Sequence, residues 1–164
     1  MAAYLKSMAR AALLVGSVLA ISAFPAKAES DITIGFVDDL SSFTAETGND
    51  GLHAIQLVID KANEAAGATG RKIKLVVYDG KVDPQLTSPF VTRLAEDDEA
   101  LLFFGGIPSA PTSAALATAN ELEIPMLGLT AAVDGFTDNA PPYYFRFGHT
   151  NGQDATALVE MIVQ

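Results

Sequence analysis

Apolar residues recur along this chain in two rhythms, and the alternation between them lays out its elements. Ile32 to Val37 (ITIGFV) reads as a first strand and Lys72 to Tyr78 (KIKLVVY) as a second. Between them, Gly51 to Ala66 places Leu52, Ile55, Ile59 and Ala62 on one face at helical spacing, with Asp60, Lys61 and Glu64 elsewhere. Gly67 and Gly70 stop that helix and turn the chain. After a loop through Asp79-Gly80 and Asp83-Pro84, a second helix runs to about Glu96. Pro89 would break a helix begun at Pro84, so the pattern predicts a start at Ser88 as N-cap, with Pro89 as first residue and Phe90, Val91 and Leu94 facing the core.

Ala100 to Phe104 (ALLFF) is apolar without alternation, as suits a strand covered on both faces. A Gly/Pro-rich loop leads to a helix from about Pro111 to Leu122. Met126 to Leu129 and Tyr143 to Phe147 read as further strands, and Asn151 to Val163 as a helix. That helix still carries apolar Leu158, Met161 and Ile162 when the sequence stops at Gln164, as in an unfinished protein. The order βαβαβαβ, loop, β, α predicts an α/β three-layer sandwich. Its sheet would be parallel and doubly wound, flavodoxin-like, with about five strands and helices on both faces.

The first 28 residues stand apart. Lys6 and Arg10 precede an apolar run from Ala11 to Ala23, then Pro25 and the small-x-small sequence Ala26-Lys27-Ala28. This reads as a secretory signal peptide over residues 1–28, cleaved before Glu29, leaving one lobe over 29–164. The run is shorter than the roughly 20 residues a membrane helix needs. The chain has no cysteine, hence no disulfide and no thiol at the cleavage site to carry a lipid. A soluble, unanchored, monomeric periplasmic protein is expected. Its formal charge is −10, and the leader holds three of the basic residues and no acid, so the remainder is more acidic still. Such a charge repels phosphate backbones and argues against nucleic acid as a partner.

In an open parallel sheet, ligands sit beyond the carboxyl ends of the strands. Four loops lie there: Asp38–Gly48, Asp79–Pro84, Gly105–Ala110 and Thr130–Thr137, rich in Ser, Thr, Gly and Asp. Their hydroxyls, Ser41 and Thr47 in the first loop among them, suit hydrogen bonding to a small polar ligand. The third, Gly105-Gly106-Ile107-Pro108-Ser109-Ala110, has glycines that allow close approach of a ligand. Ser109 or Ala110 would cap the next helix, whose free N–H groups suit a carboxylate. An ordinary N-cap explains the same residues.

The ordered series of these segments resembles the type I periplasmic binding proteins, in the leucine/isoleucine/valine-binding group of ABC transporter receptors. ITIGFVDDLSSFTAETG is similar to that family's opening strand and loop. DKANEAAGATGRKIKLVVYDGKVDP resembles its helix, Gly-Arg turn, strand and Asp-Pro loop, here Asn63, Ala65, Ala66, Gly67, Gly70, Arg71, Asp79, Asp83 and Pro84. GGIPSAPTSAALATANELEIPML resembles its ligand loop. The resemblance runs from about Ile32 to Gln164 and implies the first lobe of a two-lobe receptor that traps an amino acid, amide or small carboxylate and delivers it to permease subunits. It implies that Ser109, or Ala110 beside it, binds the ligand carboxylate, and that Thr130 and Ala132 lie in the loop contacting the ammonium and carboxylate. Thr47 stands where branched-chain binders place an aromatic residue, which weakens the case for leucine or valine.

An enzyme is the competing class. His53 falls in the first helix as a partly buried structural residue, and His149 could line the cleft but has no recognisable nucleophile beside it. No nucleophile elbow, P-loop or dinucleotide fingerprint occurs. Asp38 and Asp39 are adjacent, but neighbours in extended chain point opposite ways. Neither a cofactor nor a metal site is expected, nor any catalysis. A ligand sensor for a membrane regulator, or a truncated non-functional fragment, remains the alternative.

Overall fold

The computed structural model describes residues 30–67, 70–138 and 142–163. The signal peptide read from the sequence, with its cleavage before Glu29, lies outside them. Five strands, β1 (Ile32–Asp38), β2 (Ile73–Asp79), β3 (Phe103–Gly105), β4 (Met126–Gly128) and β5 (Tyr144–Arg146), form one sheet in the order β2-β1-β3-β4-β5. Every neighbouring pair is parallel. The helices are α1 (Ala45–Ala66), α2 (Pro84–Glu96), α3 (Ser109–Glu121), α4 (Gly135–Asp138) and α5 (Asn151–Ile162). This is the doubly wound α/β arrangement the alternating pattern predicts.

Strand alternation sorts the core. Val37, Phe103, Met126 and Tyr144 turn towards α2 and α3, where they join Val91 and Leu94 in one buried cluster. Phe103, Met126, Val91 and Leu94 have no exposed surface. Ile34, Phe104 and Phe147 turn to the opposite face, which α1 covers in part.

Several boundaries differ from the sequence reading, each for a local reason. α1 begins at Ala45, six residues before the apolar pattern starts. Its first turn packs against the loop after β1, not against the sheet, so it needs no apolar stripe. The Asn49 amide donates to the carbonyls of Leu40 and Ala45 (3.1 and 2.7 Å), and Gly48 is so close to that loop that a Cβ would stand 1.9 Å from the Asp39 carbonyl oxygen. α2 begins at Pro84, not at Pro89: Asp83 is its N-cap, accepting the Gln85 N–H at 2.8 Å. Pro89 lies inside α2. It forfeits one bond to the carbonyl of Gln85, and both residues are exposed. β3 is shorter than Ala100–Phe104 and shifted to Phe103–Gly105, although Leu101 N–H still donates to Thr33 and Gly35 N–H to Leu102. His53 is exposed, not partly buried.

Candidate functional site

The chain leaves β1 for β2 on one side and later reaches β3 on the other, so the switch point lies at the carboxyl ends of β1 and β3. Asp38 ends β1 there and Asp39 follows it, and their carboxylates do turn apart. Asp38 Oδ1 accepts the Asp39 N–H (2.8 Å) and Oδ2 accepts the Ile107 N–H from the β3–α3 loop (3.1 Å). Asp39 faces the other way. Its Oδ1 accepts the N–H groups of Ser41 and Ser42 (3.2 and 2.7 Å), and its Oδ2 accepts the Thr44 N–H and hydroxyl (2.8 and 2.7 Å). One carboxylate thus shapes the whole turn into α1.

Their electrostatics diverge accordingly. Burial pushes Asp38 up to about 7, against the opposing pull of the Asp39 and Ile107 amides. Burial also works against the charge of Asp39, but the Thr44 and Ser42 hydrogen bonds outweigh it and hold the group at about 2. At the end of β2, Asp79 accepts from Leu40 N–H (3.0 Å), Lys81 N–H (3.1 Å) and the Ser41 hydroxyl. These bonds offset its burial and lower its pKa. Lys81 and Val82 then adopt positive φ (49° and 56°), a strained conformation for a β-branched valine.

The sequence-predicted residues occupy this edge unequally. Ser109 opens α3 and is exposed with Ala110; the N-cap is Pro108, so neither of them caps the helix, and α3 has no side-chain cap at all. Pro111 carries no N–H, so the amides of Ser109 and Ala110 and the Ser109 hydroxyl are the donors this end presents. Thr130 is exposed, but its N–H is committed to Gly106 (3.2 Å); the Ala132 carbonyl is committed to the Asn151 N–H (2.8 Å). Ser41 spends its hydroxyl proton on Asp79, and Thr47 is exposed in the first turn of α1. Gly106, with φ 90°, joins two of the loops, its carbonyl accepting from both Thr130 and Ala131. The cavity at the switch point measures about 10 Å³, room for a single water.

Sequence reasoning passed over Asp38, Asp39 and Asp79 as site-building groups. Their spacing at strand ends was visible; the backbone amides they collect come from loops whose paths were not. His149 is exposed and pairs with Asp154 at 3.1 Å. Among the described residues, no three His, Cys, Asp or Glu side chains are grouped to hold a metal, and no helix is long and apolar enough to cross a membrane.

A family model described as periplasmic binding protein matches residues 31–164. The chain is 27% identical over 150 residues to Leu/Ile/Val-binding protein homolog 7 of Brucella abortus (strain 2308), covering 92% of this chain and 37% of the relative. Among solved structures, it resembles the branched-chain amino acid transporter substrate-binding protein LivJ of Streptococcus pneumoniae in complex with isoleucine. The TM-score is 0.68 at 28% identity, over 73% of this chain and 34% of that one. A possible leucine/isoleucine/valine-binding protein from Rhodopirellula baltica shares the fold, with a TM-score of 0.74 at 22% identity, over 87% and 38%. The chain therefore spans little more than a third of the length of the relatives it matches.

Proposed function

The chain belongs to the periplasmic binding protein family, and on that premise we propose that it supplies one lobe of an exported, monomeric receptor for an α-amino acid, which is passed to the permease of an ABC transporter. The observation that carries this reading is the uncapped N-terminus of α3 beside the switch point, where Ser109 and two amide donors meet solvent. That end complements a carboxylate by geometry and by helix dipole. Ser109 holds the ligand carboxylate together with the Ala110 amide. The Thr130 hydroxyl and the loop through Ala132 lie along the same edge and contact the ammonium side, while Ser41 and Thr47 approach the ligand's side chain. Thr47, polar and exposed, favours a smaller or more polar side chain than leucine.

The test is thermal unfolding of the protein with L-leucine, L-isoleucine, L-valine, L-serine and L-glutamine in turn. A bound amino acid raises the midpoint by mass action, by several degrees at ligand about 100-fold above Kd. Ser109→Ala should weaken that ligand about tenfold, the worth of one hydrogen bond to a charged group. A cooperatively folded protein whose midpoint none of the five moves at millimolar concentration would sink this reading.

A further inference from the structure

α3 begins without a side-chain cap, and the Thr112 hydroxyl and N–H reach back to the Pro108 carbonyl (2.6 and 3.2 Å). A further constraint comes from 69 residues earlier in the chain, where buried Asp38 takes the Ile107 N–H. Through its other oxygen the same carboxylate holds the Asp39 N–H, and the Gly106 carbonyl next to Ile107 gathers the amides of Thr130 and Ala131. A single carboxylate therefore sits where the loops after β1, β3 and β4 converge.

Its surroundings are otherwise nearly free of charge. α2 and α3 offer Thr87, Pro111 and Thr112 to the small cavity beside it, and the β2–α2 loop offers Gly80 and Val82. Just past β1, Asp39 acts on it as a like charge, while Asp79 on β2 is turned to Leu40, Ser41 and Lys81. An ionised carboxylate makes a hydrogen bond roughly twice as strong as a neutral acceptor does. A protonated one must also place its own hydrogen where both oxygens already face amide donors.

We propose that Asp38 is a positioning residue for the ligand edge: through the Ile107 amide it holds the start of α3, with Ser109, in place, and gaining a proton loosens that hold. The inference rests on the reading that the N-terminus of α3 receives the ligand. Burial sets the balance in the opposite direction, favouring the neutral acid up to about pH 7. The charged form that best orders the loop is thus the form the fold tolerates least, and the two are matched near neutrality.

The first measurement is an NMR titration of the ¹⁵N-labelled protein from pH 5 to pH 9. The amide protons of Ile107 and Asp39 should shift together, with one midpoint near neutrality, and stay flat in Asp38→Asn. Should that variant fail to fold, the wild-type titration still decides, because an Ile107 amide with no inflection overturns the proposal. Calorimetry with L-serine, L-glutamine, L-valine, L-leucine and L-isoleucine in turn forms the second arm. Wild-type affinity should rise about three- to tenfold between pH 6 and pH 8, the range of one hydrogen bond, and be level in Asp38→Asn. Equal affinity at both pH values despite a titrating amide would overturn the coupling. Absence of binding at either pH, with Ile107 still titrating, would remove the ligand reading and leave the positioning role standing.

Discussion

The two faces of the sheet are unequal, and adjacent residues show it. Phe103 turns to the face covered by α2 and α3 and has no exposed surface; Phe104 turns to the other and lines an apolar groove of about 380 Å³ with Ile34, Ile55, Ile59, Leu129 and Phe147. Handedness explains the imbalance. Only the β1-to-β2 crossover moves one way across the sheet, and those from β2 to β3, β3 to β4 and β4 to β5 move the other way. Right-handed connections therefore send α1 to one face and α2, α3 and α4 to the opposite one. α5 does not redress the balance: all its described residues are exposed, and it is held at its first turn, by Thr150 with Gln153 and by Asp134. The packed face holds the buried core, while the carboxyl edge between the two faces holds the proposed site.

The sharpest way to break this comparison is to truncate the two phenylalanines separately. Phe103→Ala should cost about 3–5 kcal/mol, the range for a fully buried aromatic that leaves a cavity. Phe104→Ala, already facing a groove, should cost about 1–2 kcal/mol, the transfer of a partly buried ring. Urea denaturation of both variants measures the difference. Equal losses would mean that the Phe104 face is as well packed in solution as the other.

The faces also differ in how far the sequence announced them. The apolar, unalternating ALLFF and the helical spacing of Leu52, Ile55 and Ile59 told of a parallel sheet flanked by helices, because burial of strands and stripes is what that pattern encodes. The first turn of α1 was hidden, since Asn49 and Gly48 pack on backbone and leave no apolar signature. Pro89 misled for a similar reason: a proline on the solvent side of a helix need not end it. At the site, the glycine loop was legible as the approach to a helix, but that helix begins at Ser109 behind Pro108, so the expected cap by Ser109 or Ala110 does not form. The division of labour between Asp38 and Asp39 was not legible, because it depends on Ile107, Ser42 and Thr44 amides brought in by loops of irregular path.

The carboxyl edge makes its own prediction, intermediate in size. Asp38 has a folded pKa near 7, above the ordinary 3.8, so the folded protein binds that proton more tightly than the unfolded chain. The stability it confers is complete below about pH 4 and is lost as pH rises to about 7. Asp39, at about 2, and Asp79, also lowered, act oppositely: their contribution is present above about pH 4 and is lost as pH falls. Together these groups place maximal stability between roughly pH 4 and pH 5, with a decline on the order of 2–4 kcal/mol by pH 7.5. Thermal melts across that range check the decline, and Asp38→Asn should flatten its alkaline side. A stability curve that rises steadily from pH 4.5 to pH 7.5 would contradict this account of the edge.

The smallest effect belongs to the rim of the open face. Phe147 is 68% exposed, stacked over Phe104 at 6.5 Å between ring centroids. Phe147→Ser removes apolar surface that folding scarcely buries, so unfolding free energy should change by no more than about 0.5 kcal/mol. The same change puts a hydroxyl into the lining of the apolar groove. Binding of a hydrophobic dye to the native protein should therefore fall while the urea midpoint stays still. A loss approaching that of Phe103→Ala would show that Phe147 is buried in solution, and the contrast between the two faces would have to be abandoned at this end of the sheet.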